Sequence, residues 1–225
     1  MLKTYDQMCI RLIRKTEDPS LLIQLACDIT QKNMFRGKEA SEVLIKFLID
    51  ANHISLFEHV STTWLIQDVS RSFLAQITRH RMASYTAASQ HYQDYQDYPC
   101  IVDESMNKRY VDSFCADVDS QYAQLIDEGV PAQEARQILP NAKAVNILWT
   151  INVRSLINFL NLRLCERNVN EMKTFAFKIL RKCRAWWPEV FEHIGPDCKM
   201  IGKCRQGKMM AEQCKENGSA WIKRI

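Results

Sequence analysis

Residues 76–92 read Gln-Ile-Thr-Arg-His-Arg-Met-Ala-Ser-Tyr-Thr-Ala-Ala-Ser-Gln-His-Tyr, two arginines around one histidine and then a polar run without acidic residues. Arginine carries a planar, permanent positive charge that suits phosphate groups and ring carbonyls. Upstream, Phe73 and Ile77 lie at helical spacing. We predict a helix that brings Gln76 and Arg79 to its C-terminal end, beside an anion site. Cations there also complement a helix dipole, which is the purely structural interpretation of the arginine pair.

The spacing of this segment resembles the signature of the flavin-dependent thymidylate synthases. Arg79-His80-Arg81 is followed, after seven residues, by Ser89. Three further blocks agree with that family in order and spacing, so that the resemblance spans roughly residues 20–190. The blocks are His-Ile-Ser-Leu-Phe-Glu-His at 53–59, Ala-Arg-Gln-Ile-Leu-Pro at 135–140, and Trp-Thr-Ile-Asn-Val-Arg-Ser-Leu-Ile-Asn-Phe-Leu-Asn-Leu-Arg at 149–163.

The composition is that of a globular protein with one core. The chain has 225 residues, of which 47% are hydrophobic and 25% charged. We expect one domain over 1–195 and a cysteine-containing tail over 196–225. The net charge is +4, from 30 basic and 26 acidic residues. Such a mild balance does not favour a nucleic-acid partner, although a local site for a small anion remains open.

Neither a membrane segment nor a disulfide framework is expected. No apolar run approaches the roughly 18 residues that a membrane span needs, and the N-terminal residues are polar, so we expect a cytoplasmic protein without a membrane partner. The nine cysteines are then reduced thiols. Cys198, Cys204 and Cys214 in the tail could bind zinc or form a redox pair. The tail lacks a Cys-x-x-Cys motif, so we expect free thiols and no metal.

Periodicity predicts an α+β fold in which an antiparallel sheet packs with long helices. Strand patterns occur near 1–13, 60–68 and 144–151, and helical patterns cover most of the remainder. Residues 82–101 suit a surface loop. For four helices we predict these buried stripes: Val43, Leu44, Phe47 and Leu48; Tyr110, Phe114, Val118, Tyr122 and Leu125; Val153, Leu156, Ile157, Leu160 and Leu164; Met172, Phe175, Ala176, Ile179 and Leu180.

The 53–59 block, predicted as a loop before a strand, has two possible interpretations. His53, Glu58 and His59 could suggest a metal ion, but their spacing fits neither a helical His-x-x-x-His pair nor a zinc finger. The resemblance instead implies that Ser55 and Glu58 contact flavin and that His53 faces the cofactor.

The resemblance also implies the other site residues. Nucleotide-binding positions would be Gln76, Arg79, Ser89, Gln90, His91, Arg136 and Arg163. Flavin-binding positions would be His53, Ser55, Glu58, Arg79, His80, Arg81, Asn152, Arg154 and Asn158. Arg163 and Ser89 would be the catalytic pair. Arg163 would lie against the pyrimidine ring, and Ser89 would be a binding hydroxyl rather than a nucleophile, because no base lies near it in sequence.

The implied activity is methylation of dUMP to dTMP at carbon 5. Methylenetetrahydrofolate would donate the carbon and FAD, reduced by NADPH, the hydride. The family's sites lie between subunits of a homotetramer. Ala87 and His91 stand where the family commonly has glutamate and arginine. The same chemistry on dCMP or UMP, giving a methyl or hydroxymethyl product, is therefore an alternative, as is a flavin-binding homologue without turnover.

Overall fold

The computed structural model describes residues 2–34, 37–90, 98–106, 108–210, 212 and 214. The chain divides into two compact units. The first consists of Met1–Arg11 and Trp64–Trp149, and the second of Leu12–Thr63 and Thr150–Ile225. Each unit is described by itself below. The predicted division into residues 1–195 and a tail over 196–225 stays a prediction.

The strands form two sheets. Their bounds are β1 Leu2–Thr4, β2 Cys9–Lys15, β3 Ser61–Ser70, β4 Ala83–Ala87, β5 Cys100–Val102 and β6 Ala144–Asn152. The larger sheet has the order β2-β3-β6-β4, and β1 pairs with β5 in parallel. Strands β3 and β6 run in opposite directions, because Thr63 Oγ1 lies 3.0 Å from Thr150 Oγ1 while the amide of Asp68 donates to Asn146 Oδ1 at 3.3 Å. The predicted α+β class with an antiparallel sheet is confirmed.

Helices make up most of the remaining regular structure. The α-helices are α1 Pro19–Thr30, α2 Glu42–Asp50, α3 Arg71–Ile77, α4 Lys108–Asp127, α5 Ala132–Ala135, α6 Val153–Arg163, α7 Asn170–Trp186, α8 Pro188–Phe191 and α9 Asp197–Met200. Short 3-10 helices cover Tyr5–Gln7, Ile54–His59, Arg136–Ile138 and Gly207–Met209.

The core of the first unit lies where α3 follows directly on β3. Trp64 and Ile66 alternate along β3 and are fully buried, as the period of two in a half-buried strand requires. Phe73 on α3 is buried as well, and so is Trp149 on β6. These side chains give α3 a fixed apolar face, so its other residues have defined directions.

The core of the second unit is built on α6 and α7. All five residues of the predicted α6 stripe are buried, and so are all five of the predicted α7 stripe, so both predictions are confirmed. The Phe159 and Phe175 rings meet edge to face with centroids 5.9 Å apart, a favourable aromatic geometry. Helix α6 is therefore held rigidly, and its exposed residues occupy fixed positions.

Two of the predicted stripes are confirmed only in part, since Leu48 on α2 and Tyr122 on α4 are buried and other members are not. On α2, Val43 is 79% exposed and the buried residues are Ile45, Leu48 and Ile49. On α4, Tyr110 is 72% exposed and the buried residues are Cys115 and Tyr122. Both helices carry apolar residues on more than one face, so periodicity alone did not select the face that packs.

A buried ion pair lies at the centre of the first unit. Lys143 is fully buried, and its ammonium donates to Asp119 Oδ1 at 2.6 Å and to the carbonyl oxygen of Tyr98 at 2.7 Å. The carbonyl of Lys143 in turn accepts the amide of Arg71, the first residue of α3, at 3.1 Å. This one residue thus ties α3 to α4 and to the segment before β5.

Replacing Lys143 by methionine is expected to destabilise the fold by about 3 kcal/mol. The substitution leaves the Asp119 carboxylate, largely removed from water, without its cation. Urea unfolding measures the loss. The matched control is Lys46→Met, which removes an exposed pair with Asp50 and should cost less than about 0.5 kcal/mol. Equal losses for the two variants would contradict the central role of Lys143.

Candidate functional site

The signature arginines lie in a turn just beyond α3. The helix ends at Ile77, so it does not extend to Arg79 as predicted. The hydroxyl of Thr78 donates to the carbonyl of Leu74 at 2.8 Å and satisfies one of the last-turn acceptors. Arg79 and Arg81 are exposed, and neither guanidinium forms an ion pair with a carboxylate among the described residues. The turn therefore presents two uncompensated positive charges to solvent.

Tyr85 fixes the shape of this turn. Its hydroxyl lies 2.8 Å from the carbonyl oxygen of Ile77 and 2.7 Å from that of His80. Tyr85 belongs to β4, where the inward residues of the alternating pattern are half-buried. One hydroxyl thus ties the strand after the signature to the turn that carries it.

The polar run after the signature is partly a strand. Residues 82–101, predicted as a loop, contain β4 and the start of β5. Ser89 is exposed and Gln90 is buried, and the amide of Ala88 donates to the carbonyl of Asn146 at 3.0 Å. The segment leading to Ser89 is thereby anchored to β6. His91, a predicted nucleotide residue, lies outside the described residues.

A cleft of about 550 Å³ opens between one side of α3 and the inward face of β4. We call it the α3/β4 cleft, and its lining residues are Arg71, Leu74, Ala75, Thr78, Tyr85, Ala87 and Asn141. Its volume lies in the usual range for small-molecule pockets. Arg71 was missed in the sequence, because a single arginine early in a helical pattern gives no signal of its own.

Arg136 lies at the junction of two short helices. Helix α5 ends at Ala135, and the 3-10 helix that follows begins at Arg136 itself. Its Nε donates to the carbonyl of Gln133 at 3.0 Å, and the side chain is half-buried. That bond occupies Nε and leaves the terminal nitrogens available for a ligand.

In the second unit, predicted flavin residues meet at the start of α6. Asn152 is the N-cap, and its Oδ1 accepts the amide of Ser155 at 2.8 Å. Arg154 and Asn158, one turn apart, are both exposed on the same face. Arg154 and Asn158 thus form an exposed polar flank of α6.

The 53–59 segment packs beside this flank. It forms a 3-10 helix rather than the predicted loop, and Phe57 buries its ring against the unit core. Glu58 accepts a short hydrogen bond from Arg154. Ser55 is exposed, and His53 packs against Phe47 with ring centroids 6.3 Å apart. The structure thus brings Glu58 and Arg154 into direct contact.

Arg163, the predicted catalytic arginine, ends α6 and is half-buried. Its Nη1 donates to Asn168 Oδ1 at 3.2 Å, and the side-chain Nδ2 of Asn168 donates to the carbonyl of Leu162 at 2.8 Å. Asn168 therefore orients the guanidinium without neutralising its charge, since an amide carries none.

The cysteines and possible metal ligands form no further site within the described part of the chain. Each of the nine cysteines lies outside any disulfide bond, including Cys198, Cys204 and Cys214. No group of three or more His, Cys, Asp or Glu side chains there is arranged to hold a metal ion. Burial raises the pKa of the Cys183 thiol, which disfavours its thiolate form. No helix that the structure describes has both the length and the apolar surface to cross a bilayer.

The two predicted sets of residues thus separate largely by unit. The described nucleotide residues lie in the first unit except for Arg163. The flavin residues lie in the second unit, except for the three signature residues Arg79, His80 and Arg81. Apart from the acidic Glu58, which pairs with Arg154, the exposed members in each unit are cationic or neutral polar residues. Such residues suit a ligand that carries phosphate and ring carbonyl groups.

A family model and individual known proteins both relate this chain to thymidylate synthases. The family model described as thymidylate synthase complementing protein matches residues 11–189. A flavin-dependent thymidylate synthase of Geobacter sulfurreducens is 33% identical over 223 residues, covering 93% of this chain and 96% of that protein. One from Sulfolobus acidocaldarius is also 33% identical, over 85% of this chain and 78% of that protein.

A solved structure shows a similar fold. The UMP/dUMP methylase PolB from Streptomyces cacaoi, bound with 5-Br dUMP, superposes with a TM-score of 0.73. The match covers 85% of this chain and 96% of that one, at 19% sequence identity. At this identity the similarity establishes the fold alone.

Replacing Tyr85 by phenylalanine is expected to lower the free energy of unfolding by about 1 kcal/mol. The variant keeps the ring but removes the hydroxyl that holds the turn carbonyls. Chemical denaturation measures the change. The control is Tyr110→Phe on α4, whose side chain is largely exposed and whose loss should stay within about 0.5 kcal/mol. A Tyr85→Phe variant as stable as this control would show that the hydroxyl does not fix the turn.

Proposed function

We propose that this chain, which belongs to the thymidylate synthase complementing protein family, is a flavin-dependent thymidylate synthase that converts dUMP to dTMP. The family match extends over residues 11–189. Relatives bearing that name share about a third of their residues over most of both chains. The observation that carries the proposal is the Arg79-His80-Arg81 turn, since its two exposed guanidinium groups suit an anionic ligand.

In the proposed reaction, dUMP, methylenetetrahydrofolate, NADPH and a proton give dTMP, tetrahydrofolate and NADP⁺. When bound, FAD reduced by NADPH supplies the hydride that converts the transferred carbon to a methyl group. The protein's own task is to bind, orient and stabilise charge, which agrees with a site rich in arginine and amide groups and without a catalytic dyad. Its fold is then that of the flavin-dependent thymidylate synthases.

We assign nucleotide binding to side chains that can form hydrogen bonds with a phosphate and with the edge of a pyrimidine ring. Arg79 and Arg136 offer guanidinium donors, and Ser89 offers a hydroxyl in an exposed position. The amides of Gln76 and Gln90 and the ring of His91 complete the set. Ser89 binds and does not attack, because the hydride route requires no covalent bond to the enzyme.

Arg163 is assigned to the pyrimidine ring. Its charge stabilises the negative charge that develops on the ring carbonyl and makes carbon 5 more nucleophilic. The hydrogen bond to Asn168 supports this role, since it restricts the guanidinium without cancelling its charge. A guanidinium that is already oriented loses less conformational entropy when the transition state forms than a freely rotating side chain would.

The residues present fit a flavin dinucleotide. Arg81 and Arg154 are exposed cations of the kind that bind a pyrophosphate or flavin carbonyls, and Asn158 lies one turn from Arg154. Glu58 holds Arg154 in place. His80, Asn152, Ser55 and His53 complete the proposed contacts, together with Arg79, which would serve both ligands.

Another pyrimidine nucleotide is the second candidate substrate. Ala87 lines the α3/β4 cleft, and a side chain this small leaves room where the family commonly has glutamate. Such a change in the cleft wall could suit dCMP or UMP, with a methyl or hydroxymethyl product. A flavin-binding homologue without turnover is the third candidate.

An assay with three nucleotides tests which of them is the substrate. Purified protein with bound FAD, NADPH and methylenetetrahydrofolate should form dTMP from dUMP, and product from dCMP or UMP about 100-fold or more slowly, because a pocket built to hydrogen-bond one ring edge discriminates strongly. Anaerobic incubation and mass spectrometry of the nucleotides measure this. Product from dCMP or UMP alone would replace dUMP as the substrate, and bound flavin without any product would favour the third candidate.

We also infer a homotetramer in the cytoplasm, without a nucleic-acid or membrane partner. Exposed Val43 and Phe47 on α2 support the assembly, because exposed apolar side chains often mark contacts between subunits. Free cysteines agree with a reducing compartment. Light scattering should give the mass of four chains of 26.3 kDa each. A monomer mass at micromolar concentration would exclude the tetramer.

A further inference from the structure

A cleft of about 380 Å³ lies in the second unit, between the end of β2, the start of α1 and the junction of α7 with α8. We call it the α1/α8 cleft. Its walls include Lys15, Trp186 and Trp187 and the carboxylates of Glu17, Asp18, Glu39 and Glu189. None of these residues is assigned to the nucleotide or to flavin. A cleft of this size holds a small ligand or a long side chain from another molecule.

Acidic side chains dominate the charge of the α1/α8 cleft. It is lined by four carboxylates and by one ammonium, that of Lys15. In the part of the chain that the structure describes, no lysine or arginine forms an ion pair with any of the four. Asp18 directly precedes α1, yet its carboxylate does not cap that helix. The excess negative charge attracts a cation and repels the phosphate groups of a nucleotide or a flavin.

The aromatic wall of the cleft already carries one cation. The Lys15 ammonium lies 5.7 Å from the centroid of the Trp186 ring, within the range of a cation–π interaction. Trp186 is half-buried, so part of its ring is open to a ligand, and the Lys15 side chain is exposed. This contact shows which chemistry the ring accepts, namely an ammonium group at the end of a flexible hydrocarbon chain.

Trp187 adds a hydrogen-bond donor to the same wall. Its side chain is 3% exposed and packs against Phe57 with ring centroids 5.8 Å apart, so the indole is held in place. Its Nε1 has no hydrogen-bond partner among the described residues. A buried N–H group without an acceptor is unfavourable, so a ligand that brings a carbonyl oxygen gains from this donor.

A lysine residue within a peptide carries both of the complementary groups. Its ammonium suits the carboxylates and the Trp186 ring, its methylene groups pack on aromatic surface, and the peptide backbone offers carbonyl acceptors. A metal ion suits the cleft less, because no three described side chains of the metal-binding types are arranged to hold one. A free polyamine has ammonium groups but no carbonyl oxygen for Trp187 Nε1.

We propose that the α1/α8 cleft is a docking site for a basic, lysine-containing segment of another protein. The incoming ammonium takes the position over the Trp186 ring that Lys15 holds in the free chain, and a backbone carbonyl of the segment accepts Trp187 Nε1. The four carboxylates are the counter-ions. The site shares no residue with the proposed nucleotide and flavin positions, so it goes beyond the proposed function and does not depend on it.

Calorimetric titration of the full chain tests the site with the acetylated and amidated peptide Gly-Lys-Gly-Lys-Gly. Its neutral counterpart has norleucine in place of each lysine and should not bind measurably. Trp186→Leu should raise the dissociation constant of the lysine peptide about 5-fold, as expected for the loss of a cation–π contact. The double variant Glu17→Gln, Glu189→Gln should raise it about 10-fold, because two attractive charges are lost.

A variant of Lys15 gives the sharpest test, because the proposal predicts tighter binding. Lys15→Met removes the resident cation that competes for the Trp186 ring, and the dissociation constant of the lysine peptide should fall about 3-fold. The matched control is Lys46→Met on α2, which removes an equal charge outside the cleft and should leave binding unchanged.

Several outcomes overturn the inference. Equal binding of the lysine and norleucine peptides, or no binding of either, would reject the site. The same gain in Lys46→Met as in Lys15→Met would reduce the effect to overall charge. Putrescine has the same charge as the peptide, and equally tight binding of it would assign the cleft to free amines instead of a protein partner. If Trp186→Leu does not fold, the glutamine variant and Lys15→Met decide.

Discussion

The buried ion pair of Lys143 and Asp119 is the interaction on which the first unit depends. Removing an ammonium group from water is strongly unfavourable, so a fully buried lysine is tolerated only with a counter-ion and further acceptors. Asp119 and the carbonyl of Tyr98 supply them. Burial raises the pKa of the Cys100 thiol to about 12, together with the hydrogen bond that Cys100 forms to Cys115, which favours the protonated thiol. Cys100 therefore stays neutral, and Asp119 is the counter-ion of the Lys143 ammonium.

This pair also supports the candidate site, because Lys143 contacts the helix that leads to the signature turn. The carbonyl of Lys143 accepts the amide of Arg71 at the start of α3, and the turn with Arg79 and Arg81 comes directly after that helix. Tyr85 fixes the turn from β4. The rigid buried support helps the exposed arginines to bind a ligand, since a site binds well when its donors are held in place before the ligand arrives.

Much of this could be predicted from the sequence, and the failures have physical causes. Helix α6 has a single apolar face, so its buried stripe follows from the sequence. Helix α4 has apolar residues on more than one face, and its predicted stripe includes the buried Tyr122 but also the exposed Tyr110 and Phe114. Strand β4 has only five residues and was taken for a loop. The signature arginines were recognisable by spacing. The position of Arg71 in the wall of the α3/β4 cleft could not be predicted, because it depends on tertiary contacts such as the hydrogen bond to Ala88.

A crystal structure of the chain with FAD and dUMP bound would test the assignment of both ligands at once. We expect dUMP within hydrogen-bond distance of Arg79 and Ser89, and flavin in contact with Arg81 and with Arg154 and Asn158 on α6. A nucleotide bound away from Arg79 and Ser89, or a flavin that touches neither Arg81 nor α6, would contradict the assignment.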